Sequence, residues 1–285
     1  MKTTKPKIHY TATELLNPTN PIAVCIIGAG GTGSQVLTAL ARMSHSLQAL
    51  GHAGLHVSLW DDDTVSEANR GRQLFAHCEV GLPKATALIT RNNRFFGTDW
   101  KAVNKPFTRA TAKDRAALYI SCVDTAAARF EIAEVVENIS VSSTRSDVPR
   151  YWLDFGNGRD TGQVVLATIG DIKQPASTNY SPVARLPFVT EEFGELLTLS
   201  DADGNMPSCS LAEALEKQDL YINGVLAQMG CALLWGMLRN GMTHHRGFFL
   251  NLRDFAANPS GLADSCRMVA QKAIHPDGEQ RLFAF

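Results

Sequence analysis

Apolar residues come in short runs divided by polar turns, and the spacing within the runs changes along the chain. Ile22–Ile27 is a continuous apolar run of strand length, ending in Gly28-Ala29-Gly30-Gly31-Thr32-Gly33. Beyond that turn Val36, Leu37, Leu40 and Met43 fall at helical spacing. A second strand is predicted over Leu55–Trp60, closed by Asp61-Asp62-Asp63. Another is predicted over 118–124, with a helix opening at Thr125. The second half begins after a polar hinge at 140–146, with two β-runs, 151–158 and 162–169, joined by a glycine-rich turn. Residues 170–206 are rich in Pro, Ser, Thr and Asp and read as a long loop region with a short helix at 191–197. Residues 211–238 read as a largely buried helix with a break near Asn223-Gly224, and 248–252 as a late edge strand. The pattern predicts one α/β domain over 1–285, its sheet parallel first and antiparallel later.

The turn after the first strand has a specific use. A strand that runs through G-x-G-x-x-G into a helix presents backbone N–H groups to a phosphate. The first glycine permits the tight turn, the second lets the phosphate approach, and the third lets helix pack on strand; Gly28, Gly30 and Gly33 fill these places, and Gly31 adds room. Asp61, at the end of the second strand, is placed to accept hydrogen bonds from ribose hydroxyls. Past it stand Asp63, Asn69, Arg72, Gln73 and Lys84. A triphosphate, whose charge redistributes during transfer, needs such a set of cations and amides, whereas a dinucleotide does not. Taken singly, Arg72 or Lys84 would be a solvated surface charge. Asp124 closes a further strand, where a carboxylate faces the ligand crevice and suits a magnesium ion shared with phosphate oxygens. It is equally suited to cap the following helix.

The segment Asp61-Asp62-Asp63-Thr64-Val65-Ser66-Glu67-Ala68-Asn69-Arg70-Gly71-Arg72-Gln73 resembles the D-x-D-x-V-x-x-x-N-x-x-R-Q signature of the ThiF/MoeB and ubiquitin-activating superfamily. Gly81-Leu82-Pro83-Lys84 resembles the G-x-x-K that follows it there. The resemblance covers roughly the first half of the chain. It implies a Rossmann-like adenylation fold, with a nucleotide-binding half over 20–140 and a carrier-protein-binding half over 150–285. It implies ATP and magnesium as ligands, and adenylation of the C-terminal carboxylate of a ubiquitin-like or sulfur-carrier protein, or of a short peptide. In that picture Asp61 holds the ribose, Asn69, Arg72, Gln73 and Lys84 hold the phosphates, and Asp124 holds magnesium. The ThiF-like proteins of the bacterial PRTRC gene system are the subfamily it resembles most, which implies a ubiquitin-like protein, a conjugating-enzyme-like protein and a JAB-type metalloprotease as neighbours. A two-fold homodimer is implied as well. The arginine-bearing N-terminal helix of the family is not recognisable in residues 1–20, and Arg70 is a candidate for supplying that charge locally.

Composition narrows the partners. The chain has 285 residues, 45% apolar content and a formal charge of −1. That gives no electrostatic case for nucleic acid, and no run approaches the ~20 apolar residues of a membrane span. The basic start Met1-Lys2-Thr3-Thr4-Lys5-Pro6-Lys7 lacks the apolar core of a secretory signal. None of Cys25, Cys78, Cys122, Cys209, Cys231 and Cys266 is spaced C-x-x-C, so no structural zinc is expected, and a reducing cytoplasm suits them. Cys231 reads as core, and Cys78 as structural. Relatives often pass the adenylate to a cysteine as a thioester. Cys209, after the long loop and before a helix, is the candidate nucleophile, with an inert loop cysteine as the alternative. Two other functions use the same glycine turn and acid: an NAD-dependent oxidoreductase, and a nucleotide-binding scaffold without chemistry. Asn69, Arg72, Gln73 and Lys84 stand against the first, and the filled motif positions against the second.

Overall fold

The computed structural model describes residues 5–112, 115–138, 148–201 and 218–262. Its main sheet is built from β2 (Ile22–Ile27), β3 (Leu55–Trp60), β4 (Lys101–Val103), β5 (Leu118–Ser121), β6 (Tyr151–Asn157), β7 (Thr161–Thr168), β10 (His245–Asn251) and β11 (Ala256–Gly261). The spatial order is β11-β10-β7-β6-β5-β2-β3-β4. β4, β3, β2, β5 and β6 run parallel. From β6 onward each neighbour is antiparallel. The expected change from parallel to antiparallel strands is present, at the β6–β7 hairpin.

Both faces of the sheet are covered at its centre, which is why β2 reads as an unbroken apolar run. Val24 and Ile26 face a core shared with α1 (Gly31–Ala49), α2 (Lys84–Phe96) and a later helix, α5 (Ile222–Asn240). Cys25 and Ile27 face a second core shared with α3 (Ala126–Asn138) and α4 (Val189–Asp201). Trp152 and Tyr119 are fully buried in the second core, and Tyr151 and Phe155 in the first. From β2 the chain winds outward through α1 to β3, α2 and β4, then returns to β5 on the other side of β2. This reversal between β2 and β5 opens a crevice at the strands' carboxyl ends, the usual ligand position in such a sheet.

A small sheet of β1 (Lys7–Tyr10), β8 (Ser181–Pro182) and β9 (Met242–Thr243), in the order β8-β1-β9, ties the start of the chain to its second half. Buried His9 fastens it: Nδ1–H donates to Val183 O at 2.7 Å, and Nε2 accepts from the Tyr151 hydroxyl at 2.9 Å. That hydroxyl also accepts from Ala12 N–H at 2.9 Å, so its own proton goes to His9.

Several elements differ from expectation. Residues 248–252 do not form an edge; β10 lies between β7 and β11, and β11, with Pro259 and few apolar residues, is the edge. The helix expected at 191–197 is longer, spanning Val189–Asp201. The last helix begins at Ile222, because Asp219 Oδ1 accepts Tyr221 N–H at 2.8 Å in a turn just before it. The expected hinge at 140–146 and the first residues of the expected 211–238 helix lie outside the described residues. Lys84 opens a helix, α2, at its buried end.

Candidate active site

The glycine turn connects β2 to α1 at the mouth of the crevice. Gly28 has φ +95° and Cβ space only 2.6 Å from Cys122 O, so a side chain there is excluded twice. A Cβ on Gly33 would lie 1.9 Å from Gly28 O, so the first turn of α1 rests directly on the turn. Gly30 has open space on its Cβ side. Asp61 locks the turn from β3: Oδ2 accepts Ala29 N–H at 2.6 Å, and Oδ1 accepts Asp63 N–H at 3.0 Å. Burial pushes the Asp61 carboxyl above its ordinary pKa, opposed by the Ala29 hydrogen bond and the charge of Lys84.

Lys84 reaches the same place by local pairing. Val65 N–H donates to Leu82 O at 2.9 Å, Gly81 N–H donates to Val65 O at 2.8 Å, and Lys84 N–H donates to Asp63 O at 2.9 Å. The Lys84 side chain is 8% exposed, and its ammonium lies 2.7 Å from Asp63 Oδ2. Arg72 and Gln73 come from the tight loop that Gly71 turns, and their neighbours bind one another: Gln73 N–H donates to Asn69 O at 2.9 Å.

These residues meet in one cleft of about 340 Å³. Its polar wall holds Asp61, Asp63, Arg72, Gln73, Lys84 and Asp124, and Gly28, Gly30 and Gly31 form its floor. Its apolar wall includes Ile27, Val123, Trp60 and Phe107, the last two edge to face with ring centroids 5.4 Å apart. Among the described residues, Gln73 Oε1 and Arg72 Nε are buried side-chain atoms without a hydrogen-bond partner. Burial lowers the Arg72 pKa, and Asp124 across the cleft opposes the shift.

Three cleft residues come from the second half of the chain: Asn157, Gln218 and Asn223. Asn223 Oδ1 accepts from Thr32 Oγ1 at 2.8 Å and from Asn157 Nδ2 at 3.1 Å. Its Nδ2 donates to Gln218 Oε1 at 3.0 Å, which also accepts from Arg72 Nη1 at 2.6 Å. Gly31 makes room for this: a Cβ there would stand 2.5 Å from Asn223 Nδ2. Nothing in sequence spacing marks these residues as partners of the turn, since Thr32 and Asn223 are 191 positions apart. The helix break expected near Asn223-Gly224 does not fall there, since both residues lie in the first turn of α5.

Asn69 stands outside the cleft wall, its Oδ1 accepting Ser66 N–H at 2.9 Å. Arg70 pairs with Glu67 at 2.8 Å on the surface. Asp124 lies just past β5, and at the start of α3 Thr125 Oγ1 accepts Ala128 N–H at 3.2 Å. Cys122 lines the cleft, where burial holds its thiol well above the ordinary pKa, while Cys231 is buried in the core and Cys78 is exposed. Cys209 and Cys266 lie outside the described residues. No group of three or more His, Cys, Asp or Glu side chains that could hold a metal occurs among the described residues, and no described helix is long and apolar enough to cross a membrane.

The fold is shared with solved structures. PaaA is similar at 15% identity and a TM-score of 0.54, the match covering 87% of this chain and 65% of PaaA. E. coli MccB is similar at 14% identity and a TM-score of 0.54, covering 88% of this chain and 64% of MccB. The chain therefore spans slightly less than two thirds of either protein. MccB has been solved with ATP, and with AMPCPP and MccA. Comparison with curated proteins returned no match. The pattern of one family, ThiF, matches residues 13–260, which contain the turn, the acid of β3, the cationic loop and Asp124. The chain belongs to the ThiF family.

Proposed function

We propose that the protein adenylates the C-terminal carboxylate of a protein or peptide with ATP. The observation that carries the reading is the convergence of Arg72, Gln73, Lys84 and Asp124 on one cleft, opposite a glycine turn that opens a helix. A carboxylate oxygen of the substrate attacks the α-phosphorus. The new carboxyl–phosphate bond forms as the bond to the β-phosphate breaks, and pyrophosphate leaves. Lys84 and Arg72 stabilise the charge that gathers on the leaving group, and Arg72 Nε supplies a donor that the protein leaves unused. The cleft excludes water from the apolar side and positions the two reactants, which supplies much of the rate.

Magnesium fits the donor set. Asp124 offers one hard oxygen ligand in a cleft built for phosphates, and magnesium takes one or two carboxylates with phosphate oxygens in preference to an all-protein cage. When bound it would neutralise phosphate charge. MccB, solved with ATP and with AMPCPP and MccA, supports a nucleotide beside a second bound molecule on this fold. A ubiquitin-like or sulfur-carrier protein as that substrate, the PRTRC setting with its conjugating-enzyme-like partner, a two-fold dimer and a cytoplasmic location belong to the same proposal and rest on resemblance. So does thioester formation on Cys209.

The test is a thermal-shift titration with ATP plus magnesium and, separately, with NAD, on wild type, Arg72→Ala and Asp124→Ala. A ligand that binds only the folded state raises the melting temperature. Stabilisation by ATP–magnesium, reduced in both variants, with no response to NAD, supports the reading. A response to NAD alone that ignores both substitutions sinks it.

A further inference from the structure

The loop that carries Asp124 is held from beneath by a buried ion pair. Arg129 on α3 and Asp154 on β6 are 4% and 1% exposed, and Arg129 Nε lies 3.1 Å from both carboxylate oxygens. The rest of the guanidinium turns to the backbone. Nη2 donates to Val123 O at 2.7 Å and to Phe155 O at 3.0 Å, and Nη1 donates to Thr125 O at 3.2 Å. Val123 and Thr125 flank Asp124 in the chain. One planar group therefore fixes the carbonyls on either side of a residue that lines the cleft.

The pair is itself held in place. Ser121 Oγ donates to Asp154 Oδ1 at 2.5 Å and accepts Trp152 Nε1–H at 2.7 Å. Gly156 leaves room for the fork, since a Cβ there would meet Gln163 Nε2 at 2.2 Å and Arg129 Nη2 at 3.1 Å. Stability alone does not explain such a pair. Two charges taken out of water gain little over well-packed apolar residues of the same volume. Bracing two separate carbonyls at fixed angles is something apolar residues cannot do, and lysine, a point charge without a fork, cannot do it either.

We propose that Arg129 is a positioning residue that sets the orientation of Asp124 toward the divalent cation accompanying a bound nucleotide. The inference rests on the nucleotide reading above. Groups that orient a metal ligand typically account for about 10–100-fold in metal affinity.

The experiment titrates magnesium at fixed ATP and follows the melting temperature, in wild type, Arg129→Lys, Asp124→Asn and the double variant. Arg129→Lys is expected to raise the half-saturating magnesium concentration about 10–100-fold. On the Asp124→Asn background it is expected to add nothing, because its action runs through that carboxylate. An unchanged half-point in folded Arg129→Lys overturns the proposal, as does an equal shift in both backgrounds. Should Arg129→Lys fail to fold, Ser121→Ala removes one hydroxyl from the Asp154 carboxylate and is expected to raise the half-point up to about tenfold, the low end for a hydrogen bond to a charged group; no shift there overturns the proposal too. Absence of magnesium-dependent ATP binding in wild type overturns the nucleotide reading itself, and shows this before any Arg129 variant is measured.

Discussion

In Gln218→Ala the Arg72 guanidinium loses the acceptor that holds it in the ligand-free protein. The Nη1 to Oε1 distance is 2.6 Å, and the same oxygen also accepts from Asn223 Nδ2 at 3.0 Å. A phosphate that takes Arg72 Nη1 displaces this carboxamide. A hydrogen bond to a charged group contributes about 1.5–3 kcal/mol when buried. Arg72 is only partly buried, so about 1 kcal/mol is the fitting figure once solvent screening is allowed for. Removing the competitor should tighten ATP–magnesium binding about fivefold, since about 1.4 kcal/mol is a factor of ten. Gln218→Glu places a carboxylate against the guanidinium and should weaken binding about tenfold by the same scale. The assay is isothermal titration calorimetry of the three proteins at one salt concentration, with melting temperatures recorded to confirm folding. Weaker binding in Gln218→Ala, or a Glu variant that matches wild type, would refute the idea that Gln218 and phosphate compete for Arg72.

Three further perturbations test other parts of the argument. Burial lowers the His9 pKa, so the unfolded chain takes the proton first; the stability that the neutral ring supports is present above about pH 6.5 and is lost as pH falls below it, by at most about 1.4 kcal/mol per pH unit. Urea unfolding between pH 5 and 7.5 should show that slope in wild type and a flatter one in His9→Gln; parallel curves would contradict it. Gly33→Ala drives a methyl to within 1.9 Å of the Gly28 carbonyl oxygen and should cost about 3 kcal/mol or more, read from the urea midpoint, while a loss under about 0.5 kcal/mol would deny the close approach. Lys84→Met keeps the buried stem and removes the ammonium; Asp63, whose side chain is 69% exposed, can turn to water. The fold should therefore hold while ATP–magnesium affinity drops about tenfold or more, as expected for loss of a charged hydrogen bond; undiminished affinity would remove Lys84 from the site.

The strand–turn–helix unit from Ile22 to Met43 was legible because period and glycine placement agree with the geometry they produce. Arg72, Gln73, Lys84 and Asp124 were legible as a set, and the cleft brings them together. At Asn69 the structure adds a local role that the motif does not encode, its amide oxygen satisfying the backbone N–H of Ser66 three residues earlier. β11 escaped notice because Ala256-Ala257-Asn258-Pro259-Ser260-Gly261 has no alternation, and its pairing comes wholly from β10. The small sheet escaped for a similar reason, its strands being two to four residues long. Asn157, Gln218 and Asn223 join the site only through the path of the chain, which no local spacing encodes.

The meeting of Gly31 and Asn223 brings two 19-residue helices, α1 and α5, together at their N-terminal ends. Each helix macrodipole places about half a positive charge at that end. Together they amount to roughly one unit of positive potential made of peptide groups. It does not titrate, needs no counter-ion side chain and adds nothing to the formal charge. A chain with a net charge of −1 thus keeps an anion-attracting focus at every pH at which it is folded.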